Sequence, residues 1–297
     1  MFSDINNIIE NNIADTDLDQ FCVILGLNPS KGARSPTLWN RVFSSERKKI
    51  KMLPLDVNPE RLKELFFCLQ EHKNCLGGAV AVPYKEEMFK LLKNQLSAEI
   101  LKIGAVNCFF RKNNLLSNKF SGTNTDGEAA LDPINKLLEN GRGMNVALVG
   151  MGGAGKAIWA FLNKKFKSFH KLTAFNRSNI QSSGEQGNFA DVTSISEFEQ
   201  SISDFDLIIN ATSAGSSNDL NTTPFNLDLL NNAKPECVIY DIIYDPLKTD
   251  LLLVSESRGL KIINGLRMNM VQAVLAYKYT NATKLSLEQV FKTMEDH

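Results

Sequence analysis

The sequence of 297 residues is poor in the residues that bind metals or exchange disulfides. It has only three histidines, of which His297 is the last residue, and its five cysteines are widely spaced with no CxxC pair. Zinc sites and redox-active dithiols generally use closely spaced ligands. We therefore expect no metal cofactor, and we expect the cysteines to be reduced, partly buried thiols.

The sequence also lacks an excess of charge and long apolar runs. Its 33 basic residues balance 33 acidic residues, and no basic stripe with interleaved aromatic residues offers a track for phosphates. The first twenty residues are polar and acidic, unlike a secretory signal, and no stretch reaches the roughly 18 apolar residues that span a bilayer. These absences argue against nucleic acid and membrane partners and predict a soluble cytoplasmic protein.

The first half of the sequence alternates short apolar runs with helical patterns. The run FCVILGL, which starts at Phe21, is followed by helical patterns at residues 37–43 and 61–72. A short strand is predicted at residues 78–82, and an amphipathic helix at residues 85–94. Such alternation is typical of a mostly parallel sheet.

A second series begins with NVALVG at Asn145 and continues through LTAF, DLIINAT and CVIYDIIY. Runs that are apolar at consecutive residues indicate strands covered on both faces. Residues 126–140 indicate a connecting helix and residues 178–187 a loop. From about Arg267 an amphipathic helix is predicted, with one face formed by Met268, Gln272, Leu275 and Tyr279. We infer two α/β domains with a cleft between them.

A glycine-rich turn lies between a predicted strand and a predicted helix in VALVGMGGAGKAIWAFL. Its glycines, Gly150, Gly152, Gly153 and Gly155, would let the backbone approach a pyrophosphate at the start of the helix. Residues 150–156 also match the GxxxxGK of a P-loop, but Ala157 lacks the hydroxyl that would hold magnesium. Dinucleotide binding is the preferred interpretation, and the alternatives are a P-loop and a glycine turn that only packs a helix against a strand.

The residues after the second strand of this series bear on the choice of cofactor. An NAD enzyme usually places Asp or Glu there, whereas this chain has Asn176, Arg177 and Ser178. A guanidinium beside a hydroxyl and an amide suits a 2′-phosphate, so NADP is favoured over NAD. The alternative is that Arg177 is an ordinary exposed residue at a strand end.

Eight segments together resemble the shikimate and quinate dehydrogenase family. They are NPSKGARSP, GGAVAVPYK, GAVN, NTDG, the glycine turn with NRS, NATSAG, YDIIYDP and NGLRMNMVQA. They occur in the family's order and at similar spacing, from about Gly26 to Thr280.

The resemblance implies an α/β protein with two domains. Residues 1–126 and 267–297 would form the substrate domain, to which the C-terminal helix returns, and residues 127–266 a doubly wound, Rossmann-type NADP domain. The implied activity is reversible, NADPH-dependent reduction of 3-dehydroshikimate to shikimate, in aromatic amino acid biosynthesis, or of a closely related cyclic hydroxy acid. The alternatives are an enzyme for a different cyclic hydroxy-ketone and a non-catalytic NADP-binding protein. We expect a monomer or a homodimer.

The resemblance also implies that Lys85 and Asp126 face each other as the catalytic pair. Ketone reduction needs a hydride from the nicotinamide and a proton for the developing alkoxide, and a lysine beside a carboxylate can supply that proton. Without the resemblance, Lys85 would be read as a solvated residue at a helix start and Asp126 as a helix N-cap.

Further ligands follow from the resemblance. For the substrate they are Ser35, Asn107, Tyr244 and Gln272, and Tyr244 would also lie near the nicotinamide. For the cofactor they are Gly150, Gly152, Gly153, Ala154, Asn176, Arg177, Ser178, Thr212 and Gly265. A glutamine bonded to backbone in a core is the alternative for Gln272.

The sequence departs from the family's pattern at several ligand positions. The usual Ser-x-Ser before proline reads Ala33, Arg34, Ser35, and the usual Asn and Thr before VPYK are Ala79 and Ala81. Losing a donor to a bound polar ligand costs about 1–3 kcal/mol, so recognition of the substrate carboxylate is expected to differ. A second basic residue that often follows the cofactor motif is replaced by Gln181, which weakens the preference for NADP.

Overall fold

The computed structural model describes residues 2–14, 17–111, 119–140, 143–165, 170–177, 192–281 and 283–295. The chain divides into two compact units. The first unit comprises Met1–Thr125 and Met270–His297, and the second comprises Asp126–Asn269. Each unit is an α/β assembly around its own sheet.

The first unit contains a sheet of five strands. They are β1 (Gln20–Gly26), β2 (Ile50–Asp56), β3 (Cys75–Val80), β4 (Cys108–Arg111) and β5 (Phe120–Thr123), in the order β2-β1-β3-β4-β5. β1 runs parallel to β2 and β3, whereas β4 runs antiparallel to both β3 and β5. The helices are α1 (Ser3–Asn6), α2 (Ser35–Ser45), α3 (Leu62–Glu71), α4 (Lys85–Leu92) and α5 (Ala98–Ile103).

The second unit contains a six-stranded sheet in which every pair is parallel. Its elements are α6 (Asp126–Leu131), α7 (Asn135–Asn140), β6 (Asn145–Val149), α8 (Gly153–Lys165), β7 (Lys171–Asn176), β8 (Val192–Ser194), α9 (Ile195–Ser201), β9 (Leu207–Asn210), β10 (Val238–Asp241), α10 (Asp250–Ser257) and β11 (Lys261–Ile263). The order β11-β10-β9-β6-β7-β8 turns outward in both directions from the boundary between β6 and β9. In such doubly wound sheets, ligands bind beyond the carboxyl ends of the strands at this switch point.

Two helices end the chain, α11 (Leu266–Thr280) and α12 (Leu287–Glu295). From Met270 onward they belong to the first unit. Their residues Met270, Val274, Tyr277, Val290 and Met294 join a buried cluster with Trp39 and Phe43 of α2. The C-terminal segment therefore supplies part of the core of the N-terminal sheet.

The structure corrects several predictions of secondary structure. The strand predicted at residues 78–82 is Cys75–Val80, and the helix predicted at 126–140 is broken at Asp132–Ile134, because Pro133 cannot donate a backbone hydrogen bond. The first sheet was predicted to be mostly parallel but is mixed. The reason is β4, which was not predicted and which runs antiparallel to β3 and β5. The loop predicted at residues 178–187 lies outside the described residues.

Candidate active site

In the first unit, two of the predicted site residues, Lys85 and Asn107, lie at one edge of the sheet. Lys85 begins α4, which follows β3, and Asn107 directly precedes β4. Because β4 is antiparallel to β3 and β5, the start of β4 lies beside the ends of those two strands. Thr125 follows the end of β5. The edge thus gathers residues that lie 40 positions apart in the sequence.

Hydrogen bonds hold this edge together. The Val106 amide donates to the Lys85 carbonyl at 2.9 Å, and the Val80 amide donates to the Asn107 carbonyl at 2.8 Å. The Asn107 side chain donates from Nδ2 to Thr125 Oγ1 at 2.9 Å and accepts from the Thr125 amide at 2.8 Å. These bonds fix the Asn107 side chain, which is only 3% exposed.

Thr125 connects this edge to the C-terminal helix. Its hydroxyl donates to the main-chain carbonyl of Gln272 in α11 at 3.2 Å. Asn107 and the main chain of Gln272 therefore both contact Thr125. Sequence reasoning missed Thr125, although it stands inside the NTDG motif next to Asp126.

The helix face predicted for α11 is wrong. Met268 of that face is buried, but Tyr279 is 52% exposed. The other buried hydrophobic residues of the helix are Met270, Ala273, Val274, Ala276 and Tyr277. The predicted face is displaced from the core side of the helix. Gln272 is half-buried next to that core face rather than surrounded by apolar neighbours.

The remaining predicted residues of this part of the chain are at least half-buried. Ser35, the first residue of α2, is 7% exposed, and Asp126, the first residue of α6, is 4% exposed. Lys85 is half-buried. Next to it, Tyr84 is 1% exposed and donates from its hydroxyl to the Val57 carbonyl, which anchors the start of α4.

The three alanines that depart from the family's pattern share one apolar environment. Ala79, in β3, is 6% exposed and belongs to the buried cluster that contains Trp39 and Met270. Ala33 and Ala81 are partly buried and pack against the same cluster. The three alanines therefore belong to one apolar region of the first unit.

In the second unit, the glycine-rich turn follows β6 at the switch point of the sheet. Gly150 has a φ of +96°, and a Cβ there would lie 2.6 Å from Thr212 Cγ2, so both the backbone and the space require glycine. A Cβ on Gly155 would lie 2.0 Å from the Gly150 carbonyl oxygen, whereas one on Gly152 would meet no protein atom within 4 Å. The turn thus has no room for a side chain at Gly150 or Gly155, whereas the space beside Gly152 is free of protein atoms.

Two predicted cofactor residues at the end of β7, Asn176 and Arg177, have different surroundings. Asn176 accepts a hydrogen bond from the Met151 amide at 3.2 Å, which ties the end of β7 to the glycine-rich turn. Arg177 is exposed directly after the strand. Ser178, also predicted as a cofactor ligand, and Gln181 lie outside the described residues. Gly153 and Ala154 open α8 beside the turn.

A buried polar network joins the ends of β9 and β10. The Asp241 carboxylate, which is fully buried, accepts from Asn210 Nδ2 at 3.0 Å, the Ile243 amide at 3.1 Å and Thr249 Oγ1 at 2.7 Å. Asn210 Oδ1 in turn accepts from the Thr212 hydroxyl at 2.7 Å. Burial raises the pKa of Asp241 to about 6, although these hydrogen bonds oppose the shift.

This network positions two loops that carry predicted ligands. Thr212 stands in the loop after β9, and the half-buried Tyr244 stands in the loop after β10. Gly265 packs against the second loop, since its amide donates to the Ile243 carbonyl at 2.9 Å and a Cβ there would overlap the Ile242 carbonyl oxygen. Sequence reasoning missed Asn210, Asp241 and Thr249, although Asn210 and Asp241 stand in the motifs NATSAG and YDIIYDP.

Comparison with known proteins identifies the family. Residues 25–109 match the family model described as the shikimate dehydrogenase substrate binding domain. The chain is 32% identical to a shikimate dehydrogenase (NADP(+)) of Bacillus licheniformis over 218 residues, which cover 72% of this chain and 75% of that protein. The chain belongs to the shikimate dehydrogenase family.

Further relatives of the family extend the match to the whole chain. A shikimate dehydrogenase (NADP(+)) of Methanococcus vannielii is 29% identical over 93% of this chain and 100% of its own length. The crystal structure of shikimate dehydrogenase from Aquifex aeolicus superposes with a TM-score of 0.75 at 27% identity and covers 96% of this chain and 100% of that one. The family and the two-domain α/β fold predicted from the sequence are confirmed. Among the described residues, no helix is both long and apolar enough to cross a membrane.

Proposed function

We propose that this protein catalyses the reversible, NADP(H)-dependent reduction of 3-dehydroshikimate to shikimate. The observation that carries the proposal is the arrangement of Lys85, Asn107, Thr125 and Gln272 at one sheet edge, in a chain whose relatives are shikimate dehydrogenases (NADP(+)). We further propose that residues 1–126 and 267–297 bind the substrate and residues 127–266 bind the cofactor. The cytoplasmic location and a monomeric or homodimeric state stay predictions.

The second unit fits a dinucleotide. The open space at Gly152 admits a pyrophosphate next to the backbone, and the first amides of α8 point toward an anion placed there. Arg177 offers a guanidinium to a 2′-phosphate at the end of the neighbouring strand, where Asp or Glu would repel it. When bound, NADPH supplies the hydride for ketone reduction.

The residues of the chain then have distinct roles. Lys85 Nζ donates a proton to the alkoxide oxygen during reduction and accepts the hydroxyl proton during oxidation. We propose Asp126, which follows Thr125 directly, as the carboxylate of the acid–base pair. Asn107 and Gln272 bind ring hydroxyls, and Thr125 positions both of them. Ser35 would bind the polar end of the substrate, and Tyr244 would lie near the nicotinamide when the cofactor is bound.

A second candidate function is suggested by the three alanines. Ala33, Ala79 and Ala81 pack on one apolar cluster, so this part of the first unit offers fewer hydrogen bonds to a carboxylate than the family's usual pattern. A site that has exchanged polar for apolar contacts favours a cyclic hydroxy-ketone with a smaller or less polar substituent. The reaction and the roles of Lys85 and Asp126 would be the same.

The experiment is a cofactor absorbance assay with NADP and then NAD. The substrates are shikimate, quinate and cyclic polyols that lack or modify the carboxylate. We expect rapid NADP reduction with shikimate. Turnover confined to compounds without the carboxylate would support the second candidate, and NADPH binding with no turnover of any compound would overturn both in favour of a non-catalytic protein.

A further inference from the structure

In the first unit, three side chains that can bind a metal ion lie close together, away from the proposed active site. They are Asp4 of α1, Cys68 of α3 and His72, which caps the C-terminus of α3. The amide of Cys75, the first residue of β3, donates to the His72 carbonyl at 2.9 Å. The cluster therefore lies near the amino-terminal end of β3, whereas Lys85 follows its carboxyl-terminal end.

The spacing and distances bring the donor atoms to a common point. Cys68 and His72 are four residues apart, which places them on one helix face. His72 Nε2 lies 2.7 Å from Asp4 Oδ2, and Cys68 Sγ lies 3.6 Å from the same oxygen. All three donor atoms lie within 4.8 Å of one another. In a tetrahedral zinc site, bonds of about 2.0–2.3 Å separate the donors by roughly 3.3–3.8 Å, so the Cys68–Asp4 distance already fits and the Asp4–His72 distance would have to widen.

Packing holds both sides of the cluster in place. Phe2 and Ile5, which flank Asp4, are fully buried, and the Phe2 ring meets the Phe21 ring edge-on at 5.1 Å. The Phe21 ring also meets the His72 imidazole edge-on at 6.1 Å. On the backbone side, the Arg111 guanidinium donates to the His72 carbonyl at 2.7 Å. The ligands are therefore presented by anchored elements rather than by free side chains.

We propose that Asp4, Cys68 and His72 form a zinc-binding site that fastens α1 to α3. A thiolate, an imidazole and a carboxylate are all zinc ligands, and water would occupy the fourth position. The partial exposure of Asp4 and His72 gives the ion a path to the site, since their side chains are 53% and 20% exposed. The ion would replace the direct contact between Asp4 and His72, and the thiol would release its proton on binding.

Cobalt provides a direct test, because a thiolate bound to Co²⁺ gives a charge-transfer absorption in the near ultraviolet. We expect the chelator-treated, full-length protein to bind one equivalent of Co²⁺ with this absorption and to release it when Zn²⁺ is added. C68S should abolish the absorption, and H72Q should weaken Zn²⁺ binding by about tenfold or more, as loss of a ligand contact typically does. The matched control is H170Q, which changes an exposed histidine in the second unit and should bind as the wild type does.

Thiol labelling gives an independent readout that does not need a spectrum. Cys68 is partly exposed, whereas the other four cysteines are buried, so a maleimide should modify Cys68 first. We expect Zn²⁺ to slow this modification in the wild type and in H170Q but not in H72Q or D4N, with circular dichroism showing that each variant is folded. Absence of the charge-transfer absorption, its survival in C68S, or labelling that Zn²⁺ does not slow would each overturn the proposal and leave only the hydrogen bond between Asp4 and His72.

Discussion

At the scale of single residues, the lysine at the start of α4 carries the proposed chemistry. We predict that Lys85→Met lowers kcat by about 10²–10⁴, the usual contribution of a positioned proton donor, and leaves the Kd for NADPH unchanged. The measurement is steady-state turnover together with a fluorescence titration of NADPH. Lys90→Met on the same helix is the control, because Lys90 is exposed and pairs only with Glu87 among the described ion pairs. Equal turnover in Lys85→Met and wild type would remove the assignment.

Arg177 decides the choice between the two cofactors. We predict that Arg177→Ala raises the Kd for NADPH by about 10–100-fold, which corresponds to a charge-assisted hydrogen bond of about 1.5–3 kcal/mol, and barely changes the Kd for NADH. Isothermal titration with both cofactors measures the difference. Lys171→Ala, an exposed cation at the opposite end of β7, is the matched control. If both cofactors lose affinity equally, Arg177 does not contact the 2′-phosphate.

At the scale of elements, the buried carboxylate of Asp241 links β9, β10 and α10. Thr249, which donates to Asp241, is also the N-cap of α10. Asn210, which also donates to Asp241, accepts a hydrogen bond from the Thr212 hydroxyl. One charged group therefore organises the loops after two adjacent strands. Because its three donors come from three places, the network holds the geometry of the loops only while all three are present.

This network predicts how stability depends on pH. The pKa of Asp241 is raised to about 6, mainly by burial, whereas an unfolded aspartate titrates near 3.9. The folded state therefore binds more protons between about pH 4 and 6, and the contribution of this group to stability is complete below pH 4 and is lost as pH rises through 6. Two pKa units correspond to about 3 kcal/mol.

We predict that Asp241→Asn removes this pH dependence. Asparagine can still accept from Asn210 and Ile243 and can donate to Thr249, so the variant should resemble the protonated wild type at pH 4. At pH 7.5 the free energy of unfolding of the variant should be larger than that of the wild type by up to about 3 kcal/mol, so the variant should be the more stable protein. Urea unfolding at both pH values measures this, with the exposed Asp245→Asn as control. A difference from wild type that does not change with pH would contradict the prediction.

The sequence predicted some elements well because their signals are local. The apolar runs of β1, β6, β7, β9 and β10 identify strands covered on both faces, and the glycines between β6 and α8 mark the turn that only small residues can form. The short strands β4 and β5 were not predicted, because four residues are too few to show the alternation that indicates a strand. The contacts of Asn107 with Thr125 were not predicted for another reason. Two residues that are distant in the sequence leave no local pattern that would indicate their contact.

In the candidate site, too, the residues in local motifs were predicted and the contacts between distant segments were not. Lys85, Asn107, Asp126 and Gln272 were selected from motifs. In the structure, Asn107 and the main chain of Gln272 both contact Thr125, which stands in the NTDG motif but was not selected. Their catalytic roles remain predictions. The Asp4, Cys68 and His72 cluster was invisible in the sequence, because Asp4 is separated from Cys68 by 64 positions and neither residue belongs to a metal-binding motif.

At the scale of the whole molecule, the first unit is assembled from both ends of the chain. Val290 and Met294 of α12 are fully buried in the cluster that contains Trp39 and Phe43 of α2. A bond from the Arg41 guanidinium to the Met294 carbonyl at 2.8 Å and one from Tyr277 to Glu46 at 2.7 Å reinforce this attachment. Stability of the N-terminal sheet thus depends on the last residues of the chain.

We predict that Met294→Ala lowers the stability of the first unit by about 2–5 kcal/mol, as expected for a cavity in a packed core. Hydrogen exchange followed by mass spectrometry should show faster exchange in β1, β2 and α2 and unchanged exchange in β6 and β9. Lys292→Ala, at an exposed position of the same helix, is the control and should change little. Equal acceleration in both sheets would show that the two units do not unfold independently.

The division of the first unit between both ends of the chain also sets an order for folding on the ribosome. All strands of the N-terminal sheet are synthesised before the second unit, whereas most of α11 and all of α12, which cover the cluster around Trp39, follow it. The second unit ends at Asn269, in the first turn of α11. Until α12 is synthesised, the nascent N-terminal segment lacks part of its core and exposes apolar residues that chaperones can bind, and termination shortly after residue 269 would leave a complete second unit attached to an incomplete first one.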